Sequence, residues 1–397
     1  MPNASPAGAG ERRLLVVHPG ALGDLVQAMP AMARLRDHAG PATLLVGASH
    51  AAFMRGTGLF DHVLAFDDAT AYHGAARARL RVLAAAARRA RGARPDVCAV
   101  FKASPVYAAL AALSGARRRV GLTRGHVGAQ LLTDPVWVTR FGHWEDRYAA
   151  VAASGVAALT RVATARVATA GVAPPRSLDL SPAGLPSRDA AGLGWPALEP
   201  SEPAVARGPV IAVAPGGARN AKADLPQKRW PAARFAAVAR QLAARHPSAT
   251  FVLLGAPGDR ADADACLALC PALPVRDLVG HTSVAEARAA IAGCTLFLGN
   301  DSALLHVAAT TGTPAVAVFG PTDPRAICPR APTVTPVWQP ARDRPCFDDV
   351  TGAVAPCRVP CCMDRVDVAR VVGAAEAALA RVQSLVGSAS GARVPSR

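Results

Sequence analysis

The sequence predicts an α/β protein of two domains, each a doubly wound parallel sheet covered by helices. Three observations predict it. Short apolar runs alternate with Ala/Arg-rich helical stretches, and this series occurs twice. A Pro/Gly/Ser-rich stretch from Pro174 to Pro209 separates the two series. The chain has 397 residues, enough for two domains that each bury a core of their own.

In the first series, the strand Leu14 to Val17 is followed by a helix near Leu25 to His38. Further strands are expected at Thr43 to Val46, Val63 to Phe66, Val97 to Phe101 and around Val120. The second series places strands at Val210 to Ala214, Phe251 to Leu254, Leu296 to Leu298 and Ala315 to Phe319. Runs of 4 to 8 apolar residues suit strands buried on both faces, and none approaches the 18 or more needed to span a bilayer. Met1 to Gly10 lacks a basic segment followed by an apolar one, so it reads as a tail and not as a signal peptide, and a cytoplasmic protein is expected.

The net charge of +16 is uneven. Residues 1–200 carry 23 Lys/Arg and 13 Asp/Glu, net +10, against 21 and 15, net +6, for 201–397. An anionic partner is therefore sought in the first half: a phosphorylated or carboxylated substrate, or an anionic membrane surface. Without zinc-finger spacing or an RNP-like aromatic stretch, nucleic acid is not expected. Because 41 of the 44 basic residues are arginines, part of the excess is also explained by coding bias, and Arg77 to Arg94 by a solvated helix face. Nine cysteines, five of them after residue 320, are too sparse for a disulfide framework and are read as reduced thiols.

Ligands of open parallel sheets bind outside the carboxyl ends of the strands. Two polar stretches fall there. In LLVVHPGALGDLVQAMPA the glycines allow close backbone approach, and Asp24 is placed at the start of the following helix, where an N-cap is the plain alternative. In LFLGNDSALLH the strand runs into Asp301, Ser302 starts a helix whose first N–H groups lack acceptors, and His306 lies one turn deeper on the same face. Capping by Asp301 or Ser302 and a core role for His306 are the alternatives there.

With those stretches read in order, the chain resembles the heptosyltransferase-type glycosyltransferases, family 9, of the lipopolysaccharide pathway. The resemblance rests on GALGDLVQAMPA, APGGARNAKADLPQKRWPAARF, DLVGHTSVAEARAAIAGCTLFLGNDSALLH, and AVFGPTDP with the tail PCFDDVTGAVAPCRVPCCMDRV. It implies the GT-B architecture, two Rossmann-like domains facing across a cleft: an acceptor domain over 11–190, a nucleotide-sugar domain over 205–364, and a final helix over 365–385 packing back on the first. It also implies inverting transfer of heptose from ADP-heptose to a Kdo or heptose hydroxyl of a lipid-linked, anionic glycan; with such an acceptor, the +10 balance of the first half and Arg77 to Arg94 predict peripheral attachment to the anionic cytoplasmic membrane surface, and no cofactor and no metal are expected.

By the same resemblance Asp24 is the base beside the acceptor oxygen. Lys228, one of three lysines with Lys102 and Lys222, serves the diphosphate together with Asp301, Ser302, Ala303, Leu304 and His306. Gly216 and Gly217 form the phosphate-side loop, and Thr282 and Ser283 line the nucleoside, each with a turn or cap as its alternative. Two departures stand out: Ala303 occupies a position that is commonly Gly, and Asp259 is the nearest stand-in for a ribose-binding Glu. Asp262-Ala263-Asp264 spells a metal-binding D-x-D but reads as helix surface, and Cys346, Cys357, Cys361 and Cys362 lack the spacing and the His of a good zinc site. A nucleotide-sugar binder without turnover and a transferase using another sugar donor are the alternatives. A nicotinamide oxidoreductase is disfavoured because neither first strand is followed by G-x-G-x-x-G.

Overall fold

The structure, a computed structural model, describes residues 12–138, 142–170, 208–219, 223–340, 346–348 and 361–391. The chain divides into two compact units, Met1–Pro196 and Ala197–Arg397. The predicted linker, Lys222 and Cys357 lie outside the described residues, wholly or, for the linker, up to residue 207.

The first unit has strands β1 (Leu14–Val17), β2 (Ala42–Gly47), β3 (His62–Phe66), β4 (Val97–Val100), β5 (Arg118–Thr123) and β6 (Asp134–Trp137). They form one parallel sheet in the order β3-β2-β1-β4-β5-β6. The second has β7 (Val210–Ala214), β8 (Thr250–Leu253), β9 (Val275–Asp277), β10 (Leu296–Asn300), β11 (Ala315–Phe319) and β12 (Val334–Trp338), again parallel, in the order β12-β11-β10-β7-β8-β9. Counted from its own first strand, each sheet has the 3-2-1-4-5-6 order of a doubly wound fold.

The fully buried runs of β1, β4, β10 and β11, apolar but for Asn300 at the end of β10, follow from this topology: central strands covered by helices on both faces bury every side chain. The strands not foreseen, β6, β9 and β12, are all edge strands. Edges tolerate polar residues and proline, and β6 contains Pro135, β12 contains Pro336, and β9 is only Val-Arg-Asp.

On one face of the first sheet, Leu15, Val17, Cys98 and Val100 meet Ala86, Ala87 and Ala90 of the helix Ala76–Gly92. Its alanines form the buried stripe, and Arg77, Arg79, Arg81, Arg88, Arg89, Arg91 and Arg94 are exposed. In the second unit, Ile211, Val213, Leu296, Leu298, Val316 and Val318 share a core with Phe235, Val238 and Leu242 of the helix Ala232–Arg245. The final helix, Val368–Gly391, contributes Val371, Val372, Ala375, Ala378 and Leu379 to that same core. Its apolar face covers the second sheet. Among the described residues no helix is long and apolar enough to cross a membrane.

Candidate functional site

Strand order changes direction between β1 and β4 in the first sheet and between β7 and β10 in the second, and the carboxyl ends of these strands flank a topological switch point where ligands bind.

At the first switch point, the segment after β1 turns through His18-Pro19-Gly20 into the helix Leu22–Asp37. Ala21 is the N-cap, with no side-chain bond, so Asp24 lies inside the first turn and is not the cap. Its carboxylate instead accepts a hydrogen bond from Lys102 Nζ at 2.5 Å, from the loop after β4. The pair is open to ligand, with Asp24 37% and Lys102 24% exposed.

His18 is fully buried behind them. Its Nδ1 accepts from the Gly20 N–H at 3.2 Å, and its Nε2 finds no protein partner among the described residues. Burial, reinforced by the Lys102 charge, pushes its pKa down to about 3, so the ring is neutral and adds no charge to the site. Gly20 has φ +123°, and a Cβ there would lie 2.5 Å from the His50 ring. His50 is held below its ordinary pKa by burial, partly opposed by Asp68 and Asp24. Tyr148 is buried against His18 and Phe101, and burial raises its hydroxyl well above the ordinary phenol range. Trp144, at the start of the helix Trp144–Ala170, lies 4.4 Å from the Arg147 guanidinium and 6.0 Å from that of Arg124.

The second switch point is drier. Asn300, the last residue of β10, is fully buried and satisfied: its amide donates to the Pro215 and Gly216 carbonyls at 2.9 and 3.0 Å, and its Oδ1 accepts from the Trp230 N–H at 2.9 Å. It thereby ties the loop after β7 to the chain carrying Lys228. The Lys228 ammonium lies 2.6 Å from Asp301 Oδ2, which also accepts from the Thr322 hydroxyl at 2.6 Å. Lys228 is 11% and Asp301 3% exposed. Burial alone would push the Asp301 carboxyl up, but the Lys228 charge and the two hydrogen bonds outweigh it and hold the group below the usual carboxylate range. Phe347 adds its ring 5.8 Å from the ammonium.

Neither polar residue at the start of the next helix is a side-chain cap: Asp301 is engaged by Lys228, and Ser302, at the N-cap, makes no side-chain cap bond. That helix spans only Ala303–Ala308, with Ala303 and Leu304 half-buried at its first turn and His306 buried beneath, within electrostatic reach of Asp301. Gly217 has φ +96°, and a Cβ on it would meet the Ser302 Cβ at 2.5 Å, while a Cβ on Gly216 would meet Asp259. These two glycines let the loop after β7 lie directly against Ser302 and Asp259.

Asp259 is not free to bind a ribose. It is buried and accepts from the Gly217 and Ala256 N–H groups at 2.8 and 2.9 Å and from Arg219 at 2.7 Å, so it clamps the glycine loop. Ser283 is exposed and caps the helix Val284–Ala292 in a capping box with Glu286, with Thr282 half-buried before it. Of the D-x-D carboxylates, Asp262 pairs with Arg219 at 2.8 Å and Asp264 with Arg260 at 2.9 Å. Cys362 is buried in the second core and Cys346 is half-buried.

Lys102, His50, Asn300 and Thr322 lie against the candidate residues, and the motif reading misses them. Lys102 carried a signal: it immediately follows Phe101, where a strand is predicted to end, and is one of three lysines among 41 arginines.

Residues 175–353 match the family described as Glycosyltransferase family 9 (heptosyltransferase). Lipopolysaccharide heptosyltransferase 2 of Salmonella typhimurium is 34% identical over 119 residues, covering 29% of this chain and 32% of the relative. Lipooligosaccharide heptosyltransferase 2 of Haemophilus influenzae is 32% identical over 133 residues, covering 32% and 36%. In sequence, then, the match spans about a third of the length of these curated relatives. In fold the likeness is far longer: the structure of E. coli ADP-heptose lps heptosyltransferase II matches with a TM-score of 0.66 at 20% identity, covering 94% of this chain and 99% of that one. The family 9 glycosyl transferase of Veillonella parvula matches with a TM-score of 0.64 at 19% identity, covering 93% and 97%. The second half of the chain thus carries a segment that matches glycosyltransferase family 9, and its two doubly wound units share the fold of these solved heptosyltransferase and family 9 structures.

Proposed function

We propose that the protein transfers heptose from ADP-heptose, with inversion, to a sugar hydroxyl of a lipopolysaccharide core or related glycan. The observation that carries this reading is the buried Lys228–Asp301 pair beside Gly216 and Gly217, at the second switch point and inside the family-matched segment. A solved family 9-like fold, E. coli heptosyltransferase WaaC, has been seen with ADP and with ADP-2-deoxy-2-fluoro heptose, which supports the choice of donor.

In this reading the donor diphosphate lies over Gly216, Gly217, Ser302, Ala303 and Leu304, with Thr282 and Ser283 toward the nucleoside. Lys228 and His306 serve the phosphates, and Asp301 holds the Lys228 ammonium in place. Asp24 accepts the proton of the acceptor hydroxyl as its oxygen attacks the anomeric carbon. The bond from that carbon to the diphosphate breaks, its electron pair goes to the phosphate oxygen, and the growing charge is met by the fixed Lys228 cation. A single displacement of this kind inverts the anomeric centre.

The test is transfer itself: purified protein with ADP-heptose and core acceptors from truncated strains, the product read by mass and linkage. Transfer to none of them, with ADP still bound, leaves a nucleotide-sugar binder. The exposed arginines of Ala76–Gly92 support peripheral attachment to an anionic cytoplasmic leaflet. Flotation with anionic liposomes is expected at low salt and not at high salt.

A further inference from the structure

Both switch points hold the same pair, an aspartate on a lysine, and use two of the three lysines in a chain with 41 arginines. The strand order explains where they stand, since residues following the two central strands of a doubly wound sheet are neighbours. It does not explain why lysine was kept in a chain otherwise given to arginine. An ammonium is a compact charge with three donors that can be shared among separate oxygens, whereas a guanidinium presents a planar fork suited to one carboxylate.

The two pairs differ in how that capacity is used. Lys228 lies beneath Phe347, and its aspartate is almost wholly buried and carries a second hydrogen bond from Thr322. Lys102 is more than twice as exposed as Lys228, and Asp24 is its hydrogen-bond partner among the described residues. One donor on Asp24 leaves two ammonium hydrogens for a ligand. The groups around it are suited to an anion: His18 is neutral, and Arg124 and Arg147 lie about Trp144 on the same carboxyl edge of the sheet. Asp68, the nearby carboxylate, is occupied by the Ser49 N–H and hydroxyl.

We propose that Lys102 binds an anionic substituent of the acceptor sugar, a carboxylate or a phosphate, while keeping hold of Asp24, so that one ammonium bridges the base and the acceptor. The inference rests on reading Asp24 as the acceptor-side base. It makes Lys102 the residue by which an acidic sugar is preferred over a neutral one of the same shape.

The experiment measures binding, in the presence of ADP, of two matched pairs: free Kdo with its carboxyl methyl ester, and a heptose monophosphate with the unphosphorylated heptose. The wild-type protein is expected to prefer the anionic member of at least one pair by roughly tenfold or more, as one charge-assisted contact allows. Preference within the Kdo pair identifies the carboxylate as the group bound, and preference within the heptose pair the phosphate. Lys102→Met should reduce the preference to less than about threefold with ADP affinity unchanged, and Lys102→Arg should keep part of it. A merely structural lysine would weaken both members of a pair alike. If Lys102→Met does not fold, Lys102→Gln makes the same comparison. The proposal is overturned if the wild type shows no preference in either pair, or if the preference survives loss of the ammonium. Heptose transfer without a Lys102-dependent preference sinks this inference alone, and a Lys102-dependent preference without heptose transfer sinks only the assigned reaction.

Discussion

Removing the Lys228 ammonium should damage the protein in two separable ways. The pair it forms with Asp301 is 2.6 Å long and nearly dry. At an effective dielectric constant of about 20 the attraction at that distance is about 6 kcal/mol, much of it offset by the cost of taking both charges out of water. Deleting one partner removes the attraction and keeps the other's desolvation cost, so Lys228→Met should cost roughly 3–5 kcal/mol. The Thr322 hydrogen bond remains and places the value toward the lower end. Trp230, two residues away and buried against the second core, is a local reporter for urea unfolding.

The double variant Lys228→Met/Asp301→Asn separates stability from binding. It contains no unpaired buried charge and should recover much of the lost stability, so the two single effects should fail to add by more than about 1 kcal/mol. ADP affinity, lost by roughly 10- to 100-fold in Lys228→Met, should not return in the double variant, since the cation is still missing. A Lys228→Met protein within about 1 kcal/mol of wild type, or a double variant equal to the sum of the singles, would refute the buried-pair argument. Restored ADP binding in the double variant would show that Lys228 does not meet the phosphates.

Asp24→Asn should bind ADP normally while turnover falls about 10²- to 10⁴-fold, as expected for loss of a general base, and steady-state kinetics with unchanged kcat would remove that role. Gly217→Ala forces a side chain into φ +96° and onto the Ser302 Cβ, so calorimetry should find weaker ADP binding and thermal melts a loss of about 1–3 kcal/mol; a silent substitution would mean that the loop is loose. His18, with its pKa lowered to about 3 in the fold, favours the native state fully above about pH 6.5 and loses that contribution as pH falls toward 3. Between pH 6.5 and 5, above the carboxylate range, urea unfolding of wild type should therefore lose up to about 1.4 kcal/mol per pH unit more than that of His18→Asn, and equal slopes would contradict the buried neutral imidazole.

The parts of this molecule legible in its sequence are those where one physical demand dominates. Central strands must be apolar on both faces, so LLVV, VIAVA and AVAVF declare themselves. Edge strands face weaker demands, and DPVW, VRD and VTPVW look like loops for that reason. Asp24 and Asp301 were findable because carboxylates are conspicuous after apolar strands. Their uses were less so. Whether an aspartate near a helix start caps the helix or pairs with a distant lysine depends on which strand lies beside it, and that is decided by sheet order. Asp259 shows the same gap: its spacing suggests a ligand contact, but its oxygens are already taken by the Gly217 and Ala256 N–H groups and Arg219.

The two Asp–Lys pairs suit two kinds of ligand for the same electrostatic reason applied at different depths. A half-exposed ion pair contributes about 0–1 kcal/mol, so an incoming anion can share Lys102 with Asp24 at almost no cost in stability. A buried pair cannot be opened so cheaply, and Lys228 therefore stays where Asp301 and Thr322 hold it. A fixed cation is what a leaving diphosphate needs, because stabilisation of growing charge is greatest when the stabilising group need not reorganise during the reaction. An adaptable cation is what an acceptor site needs if its sugars differ in where their charge lies. Exchanging the settings, by deepening the first pair or exposing the second, should thus impair acceptor choice in one case and the chemical step in the other, although neither change would remove a charge.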